Sequence, residues 1–423
     1  MKNSLIFVLI FICFFVSYTV LNVLMGDEVW SFGFSYNIVN GLVPYQNFNM
    51  IILPFYPLMM SLFLFVFGNN IIVFYIVMSI ISTLIVFISS KYTKNYLLIF
   101  LLLLIRPIPS YNIFALFIFL LIVYFDNKNK DYFMGILTAL LVLTKHNIGL
   151  PMFIISLLFL NKKQIKKRVI GFSFPVVLTF LYLVFNNILF SCIDYTILGL
   201  FSFADKNFSI TMILVLEIIL FIALILNIIK NRDERKTLLY LLGFQIICFP
   251  IFDMYHFIIA FIPIFLYFIK DVKINKYVTL SICCLFFLLF VPNRLGYIYP
   301  NDTNFFKYKA LTKNQEKFLI NIVSYVKNNS DVYNIYIFNS SSYVIKLEAG
   351  IAINKYDLIN NGNMGYKGEV RYKKEVIESC LNKNCMFILH NDNNLQTSKY
   401  IIDFVIDEYI FWESVDYFDV YTN

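Results

Sequence analysis

Charge is scarce in this chain. Only 14% of its 423 residues are Asp, Glu, Lys or Arg, whereas 60% are hydrophobic and 19% aromatic, with a mean hydropathy of +0.74. No soluble domain of this length is built that way, so the chain reads as a polytopic membrane protein. Nucleotide motifs are lacking as well. There is no P-loop, no dinucleotide fingerprint and no heptad array, which argues against cytoplasmic nucleotide chemistry. The 7 cysteines show no metal-ligand spacing. Cys13, Cys248, Cys283 and Cys284 fall in apolar runs and read as small core residues. Cys380 and Cys385 are close enough to pair, and the sequence leaves their redox state open. No small-residue cleavage site follows the first apolar run, so it reads as a retained helix and not a signal peptide.

The net charge of +8 is no sign of nucleic-acid binding, because the basic residues fall in short loops between apolar runs. Five such loops define a cytoplasmic side by the positive-inside rule: Lys91 to Lys94, Asp126 to Asp131, Lys162 to Arg168, Lys230 to Lys236 and Lys270 to Lys276. The run Ser4 to Met25 is one crossing, and ten more are expected near 70–90, 96–109, 111–125, 133–149, 150–161, 169–190, 210–229, 237–252, 257–269 and 277–292. Eleven crossings put the N terminus inside the cell and the C terminus outside. Several runs fall short of the roughly 20 residues a straight crossing needs. The stretch Met50 to Gly68 is expected to lie in the outer interface, because a crossing there would invert every later basic loop. The fold expected for 1–292 is thus a polytopic transmembrane helical bundle, with 26–68 an outer loop carrying interfacial helices.

Beyond Val291 the composition turns ordinary, and residues 293–423 read as a small extracytoplasmic α/β domain. Thr312 to Lys327 has the pattern of an amphipathic helix with Phe318, Ile322 and Val326 on one face. Strands are expected at Tyr333 to Phe338, Cys385 to Leu389 and Val415 to Tyr421, a turn at Asn360 to Asn363 and a helix at Ser398 to Tyr409.

The most informative feature is Asp27-Glu28, placed where the first apolar run ends and followed by a segment rich in aromatics and amides, Trp30 to Asn49. A passive anchor more often carries Lys, Ser or Trp there. Other ionisable groups fall at the same membrane level: Arg106, Lys145-His146, and Asp253-Met-Tyr255-His256. Charge at membrane depth is costly unless paired or functional. Bland readings compete with chemistry at each position: Arg106, Lys145 and His146 can snorkel to lipid phosphates, and Asp253 and Asp27 can cap helices. Glu217 reads as a buried structural acid. Of the three histidines, His390 belongs to the C-terminal domain.

Together these groups suit transfer from a lipid-linked sugar phosphate in the outer leaflet. The phosphate is a good leaving group, so no general acid is needed. A carboxylate must take the proton of the acceptor hydroxyl, which fits Asp27. Cations or a metal ion must stabilise the departing phosphate, for which Arg106, Lys145, His146 and His256 are candidates.

These segments resemble the GT-C superfamily of polytopic glycosyltransferases, in particular the bacterial relatives of protein mannosyltransferases and of the aminoarabinose transferase that modifies lipid A. The resemblance rests on Gly26-Asp27-Glu28, on Tyr36 to Gly41 followed by Pro44-Tyr45, and on the proline-led helix ending in Phe67-Gly68. It extends to Lys145-His-Asn-Ile-Gly149, to Asp253-Met-Tyr-His256 followed by Pro263, and to Asn361-Gly-Asn-Met-Gly365. It implies an outward-facing site, a polyprenyl-phosphate-sugar donor, an inverting displacement and a cell-envelope glycan, lipid or protein acceptor. It further implies Asp27 as catalytic base with Glu28 in support. Some members use a divalent metal such as Mg or Mn and others do not. One departure stands out: Asn112 occupies the place of an Asp found in many relatives, a role that Asp253, with Tyr255 beside it, is a candidate to fill.

Two other readings stay open. A transporter or flippase of lipid-linked glycans would need charges along a path through the bilayer, where this chain has little beyond Glu217. A surface polysaccharide polymerase or ligase usually carries its large loop between later helices. Asn363 and Tyr366 are weak candidates for glycan contact in the outer domain. Sugar and acceptor are not legible.

Overall fold

Seventeen helices and one four-stranded sheet make up the described part of the computed structural model. It describes residues 2–20, 26–126, 128–201, 211–272, 281, 313–338, 342–351, 353, 365, 368–381, 384–390 and 399–423. The expected crossing at 277–292, the turn at Asn360 to Asn363 and Tyr366 lie outside these residues, apart from position 281. In chain order the first helices are α1 (Lys2–Val20), α2 (Gly26–Val39), α3 (Phe55–Phe67), α4 (Ile71–Ser89), α5 (Tyr96–Ile105) and α6 (Tyr111–Asp126). Next come α7 (Asp131–Thr144), α8 (His146–Leu157), α9 (Lys162–Phe185), α10 (Leu189–Ile193), α11 (Met212–Lys230), α12 (Arg235–Phe244) and α13 (Met254–Ile269).

Three of these, α4, α9 and α11, are long and apolar enough to cross a membrane. Eight further apolar helices span only 10–17 residues. The exposed faces of α9 and α11 are apolar: Phe174, Val177 and Leu178 on one, Ile218, Ile222 and Leu226 on the other. Such continuous apolar surface has no counterpart on a water-soluble monomer and suits lipid.

Two segments differ from the sequence reading. Lys162 to Arg168 is not a loop but the first two turns of α9. Asn161 starts them as a capping box, accepting from Gln164 N while the Gln164 side chain returns the bond. The segment Trp30 to Asn49 is likewise helical as far as Val39. Asp27 and Glu28 occupy the first turn of α2, where negative charge faces the positive end of the helix dipole.

Two polar clusters form at opposite ends of the same helices. At one, Arg168 is 1% exposed and donates to Asp126 Oδ1 at 2.6 Å, to Asp131 Oδ1 at 3.1 Å and to the Ser156 carbonyl at 2.8 Å. Lys236 reaches the other oxygen of Asp126 at 2.6 Å. This cluster ties together the ends of α6, α7, α9 and α12. Here α7 and α9 cross closely, because Gly135 and Gly171 put backbone against backbone. A methyl on Gly135 would lie 2.1 Å from the Arg168 carbonyl oxygen, and one on Gly171 2.1 Å from that of Tyr132. The start of α6, the end of α7 and the start of α13 meet at the other cluster. A helix of 16 residues spans about 24 Å, which sets the separation.

The C-terminal part holds α14 (Lys313–Asn329), β1 (Asn334–Phe338), α15 (Ser342–Ala349), α16 (Gly368–Cys380), β2 (Cys385–His390), α17 (Lys399–Glu408), β3 (Ile410–Val415) and β4 (Phe418–Thr422). The strand order is β1-β2-β4-β3, with β1 and β2 parallel and the other pairs antiparallel. Alternation explains the layering. Ile335, Ile337, Met386 and Ile388 pack with Ile322, Val326 and Ile345 on one face, while Tyr336, Phe338, Phe387 and Leu389 pack with Tyr372, Val376 and Phe404 on the other. The sheet is therefore covered by helices on both sides. The expected strands and helices are present, and α15, α16 and edge strand β3 are additional. Cys380 and Cys385 form a disulfide. The domain meets the bundle through the Tyr343 hydroxyl on Asn37 Nδ2 and through Arg371, whose Nη1 donates to Asp194 Oδ2 at 2.8 Å.

Removing one partner from a buried charge cluster strands the others. Arg168→Met should therefore lower stability by about 3–5 kcal/mol. Lys236→Met, at the half-open rim, should cost less than about 1 kcal/mol. Unfolding midpoints of the detergent-solubilised variants check both.

Candidate active site

Four helix ends build the second cluster. On α2, Asp27 and Ser31 are one turn apart and face α6, and the Ser31 hydroxyl accepts from Tyr111 N at 3.2 Å. Glu28, one residue on, points about 100° round the helix. Its carboxylate is 1% exposed and accepts from the Tyr75 hydroxyl of α4 at 2.5 Å. Lys145 breaks the chain between α7 and α8 with an extended backbone, φ −148° and ψ 91°. Asp253 caps α13: its Oδ1 accepts from His256 N at 2.8 Å and lies 3.0 Å from His256 Nδ1. The helix-capping and chemical readings of Asp253 thus describe one geometry.

Asn112, fully buried in the first turn of α6, is the hub. Its Nδ2 lies 3.1 Å from Asp27 Oδ2 and 3.3 Å from His256 Nε2, and its Oδ1 accepts from Lys145 Nζ at 2.7 Å. Lysine offers donors only and a carboxylate acceptors only, so both flanks force the same amide orientation. His256 Nε2 is 3.9 Å from Asp27 Oδ2. Lys145 Nζ also reaches the Ile247 carbonyl and the ring face of Tyr111.

A cavity of about 60 Å³ opens on this cluster, lined by Asp27, Trp30, Lys145, His146, Asn147 and His256 among others. The sequence reading thus converges here for Asp27, Lys145, His146 and His256, with Asp253 behind His256. Glu28, Arg106 and Tyr255 do not line the cavity. Arg106 sits at the C-terminal end of α5. The Tyr255 hydroxyl bonds Ser110 Oγ at 2.5 Å and the Ile108 carbonyl at 3.1 Å, tying α13 to the linker before α6. Trp30 and Asn147 are additions: Trp30 is legible only once α2 is helical, since it lies one turn from Asp27. Trp30 Nε1, His146 Nε2 and Asn147 Oδ1 are buried without a hydrogen-bond partner among the described residues. Buried polar atoms require partners, and here Trp30 Nε1 offers a donor and Asn147 Oδ1 an acceptor to what enters the cavity, water included.

Burial lifts the Asp27 carboxyl above the ordinary carboxylate range, against the pull of His256, Lys145 and the Asn112 amide. Burial acts upward on Asp253 too, but its hydrogen bonds from His256 outweigh it and hold the carboxyl low. Among the described residues no group of three or more His, Cys, Asp or Glu side chains is placed to hold a metal ion. Asp27, His256 and Asp253 come nearest, yet both imidazole nitrogens are already engaged. The donor set does not fit a metal, and no step below runs through one.

No protein-family model, no curated protein and no solved structure matches the chain.

Lys145 lines the cavity, and its ammonium group donates to Asn112 Oδ1 there. An anion in the cavity meets this cation, so Lys145→Met should weaken affinity for an alkyl phosphate by about tenfold or more. Calorimetric titrations of the wild type and the variant with the alkyl phosphate measure the difference.

Proposed function

We propose that the protein is a membrane glycosyltransferase that moves a sugar from a polyprenyl-phosphate donor to an acceptor hydroxyl outside the cell membrane. The observation that carries this reading is the pairing, across one small cavity, of a desolvated carboxylate, Asp27, with an ammonium group, Lys145. Asp27 takes the proton of the acceptor hydroxyl as its oxygen attacks the anomeric carbon. The bond from that carbon to the phosphate oxygen breaks, and Lys145 and His146 stabilise the charge that develops on the phosphate. Inversion at the anomeric carbon follows from a single displacement.

The surroundings support a lipid donor. An open, mainly apolar groove of about 370 Å³ runs between α11 and the segment after α12, lined by Leu214, Ile218, Phe221, Ile246, Phe249 and Phe252 with Glu217 and Gln245 as its polar groups. Phe249 also lines the reaction cavity, so an isoprenoid chain in the groove would carry its phosphate toward Lys145. We read the bundle as about eleven crossings with the N terminus cytoplasmic and the C-terminal domain outside. The Cys380–Cys385 disulfide supports that side, since disulfides persist in oxidising compartments. Sealed cells treated with an impermeant thiol reagent should label these two cysteines only after reduction; labelling confined to lysed cells would place the domain inside.

The transferase reading is tested with purified protein and a panel of radiolabelled polyprenyl-phosphate sugars, following release of the sugar. One donor should turn over, and Asp27→Asn should cut that rate by about 10²–10⁴-fold while the protein stays folded. Full activity in Asp27→Asn defeats the assignment of the base.

A further inference from the structure

The transferase reading leaves the proton on Asp27, in a buried site, and does not say how it leaves. The hydrogen-bond chain at the site answers this. Lys145 Nζ fixes Asn112 Oδ1 as its acceptor at 2.7 Å, so Asn112 Nδ2 faces both Asp27 and His256. One N–H serves Asp27 Oδ2. The other points at His256 Nε2, which must then carry its lone pair there, since two donors cannot share a hydrogen bond. The imidazole proton accordingly sits on Nδ1 and is donated to Asp253 Oδ1 at 3.0 Å. Four side chains from four elements thus specify one tautomer. In this state His256 presents no positive charge to the cavity. It offers a base, 3.9 Å from the oxygen of Asp27 that receives the proton.

We infer, on the basis of the transferase reading, that His256 is a proton acceptor that relieves Asp27 in each cycle, with Asp253 as the residue that positions and stabilises it. The hydroxyl O–H bond breaks and its proton passes to Asp27 while the new bond to the anomeric carbon forms. The electron pair of the old bond leaves with the phosphate. The proton then moves from Asp27 to His256 Nε2, whose bond to Asn112 is long at 3.3 Å and easily exchanged. Asp27 regains its charge, and the imidazolium is held by Nδ1–H on the Asp253 carboxylate. Its proton finally leaves through the cavity to water. The groups surrounding the imidazole are Asp27 and Tyr111, Lys145, and on its own helix Asp253 and Tyr255. Of these, Asp253 alone holds Nδ1.

Two measurements decide the matter. The first needs no substrate: nitrogen NMR of protein labelled at its three histidines, with His256→Gln for assignment. At neutral pH His256 should show a protonated Nδ1 and a bare Nε2; the reverse tautomer overturns the inference whatever the protein's activity. The second uses the donor found active in the panel, comparing the first turnover with the steady state. In His256→Gln the first turnover should stay within about threefold of wild type, while steady turnover falls by about tenfold or more. Asp253→Asn should act in the same direction. Equal loss in both phases, or no loss in either, rejects the relay and leaves Asp27 as base. No turnover with any donor rejects the transferase reading and the relay with it.

Discussion

A chain this apolar can keep an ionised group inside only where another group cancels it, and the architecture follows from that constraint. In a medium of low effective dielectric an unmatched charge costs several kcal/mol. The bundle gathers most of its inner charges into two knots, leaving Glu28 beside Tyr75 and Glu217 beside Cys248. One surrounds Arg168 with Asp126, Asp131 and Lys236, the other surrounds Asn112 with Asp27, Lys145, Asp253 and His256. Helices α6, α7 and α13 run from the Asn112 cluster toward the opposite end of the bundle, so the spacing of polar groups is set by helix rise. The first knot is closed and satisfied. The second is left partly open to a cavity, and there the matching is incomplete.

Asn112 gives the second knot its character. A carboxylate at that position would stand about 3 Å from Asp27 and require a cation or a proton between them. The amide instead offers donors to one side and an acceptor to the other. It lets Asp27 stay ionised, holds Lys145 close without a direct ion pair and dictates where the proton of His256 sits. A single neutral side chain thus sets the electrostatic state of three ionisable ones. For the same reason Asn112 cannot be exchanged for Asp as though size alone mattered.

Much of this was legible in the sequence where periodicity or spacing carried it. The apolar runs, the alternating strands at Tyr336 to Phe338 and Met386 to Leu389, and the level shared by Asp27, Lys145 and His256 all follow from local pattern. Asp253-Met-Tyr-His256 could be read as a cap or as chemistry because three-residue spacing serves both. Other features depended on packing that no local pattern encodes. Asp27 and Glu28 are neighbours in sequence, but once α2 is helical they face different partners, so the acidic pair is not a pair in space. Arg168 has the sequence context of a loop cation, yet the close approach of Gly135 and Gly171 draws it inside. Trp30 and Asn147 became visible only as buried polar atoms beside one cavity.

The docking of Tyr343 has a mechanical consequence. Its ring lies against the backbone of Gly33, where even a methyl group would come within 1.9 Å of it, and its hydroxyl meets Asn37. Gly33 and Asn37 share α2 with Asp27, a rigid rod of 14 residues, about 21 Å long. The C-terminal domain therefore grips one end of a lever whose other end is the carboxylate of Asp27. Any force that tilts the domain must either part Tyr343 from this groove or carry Asp27 with it.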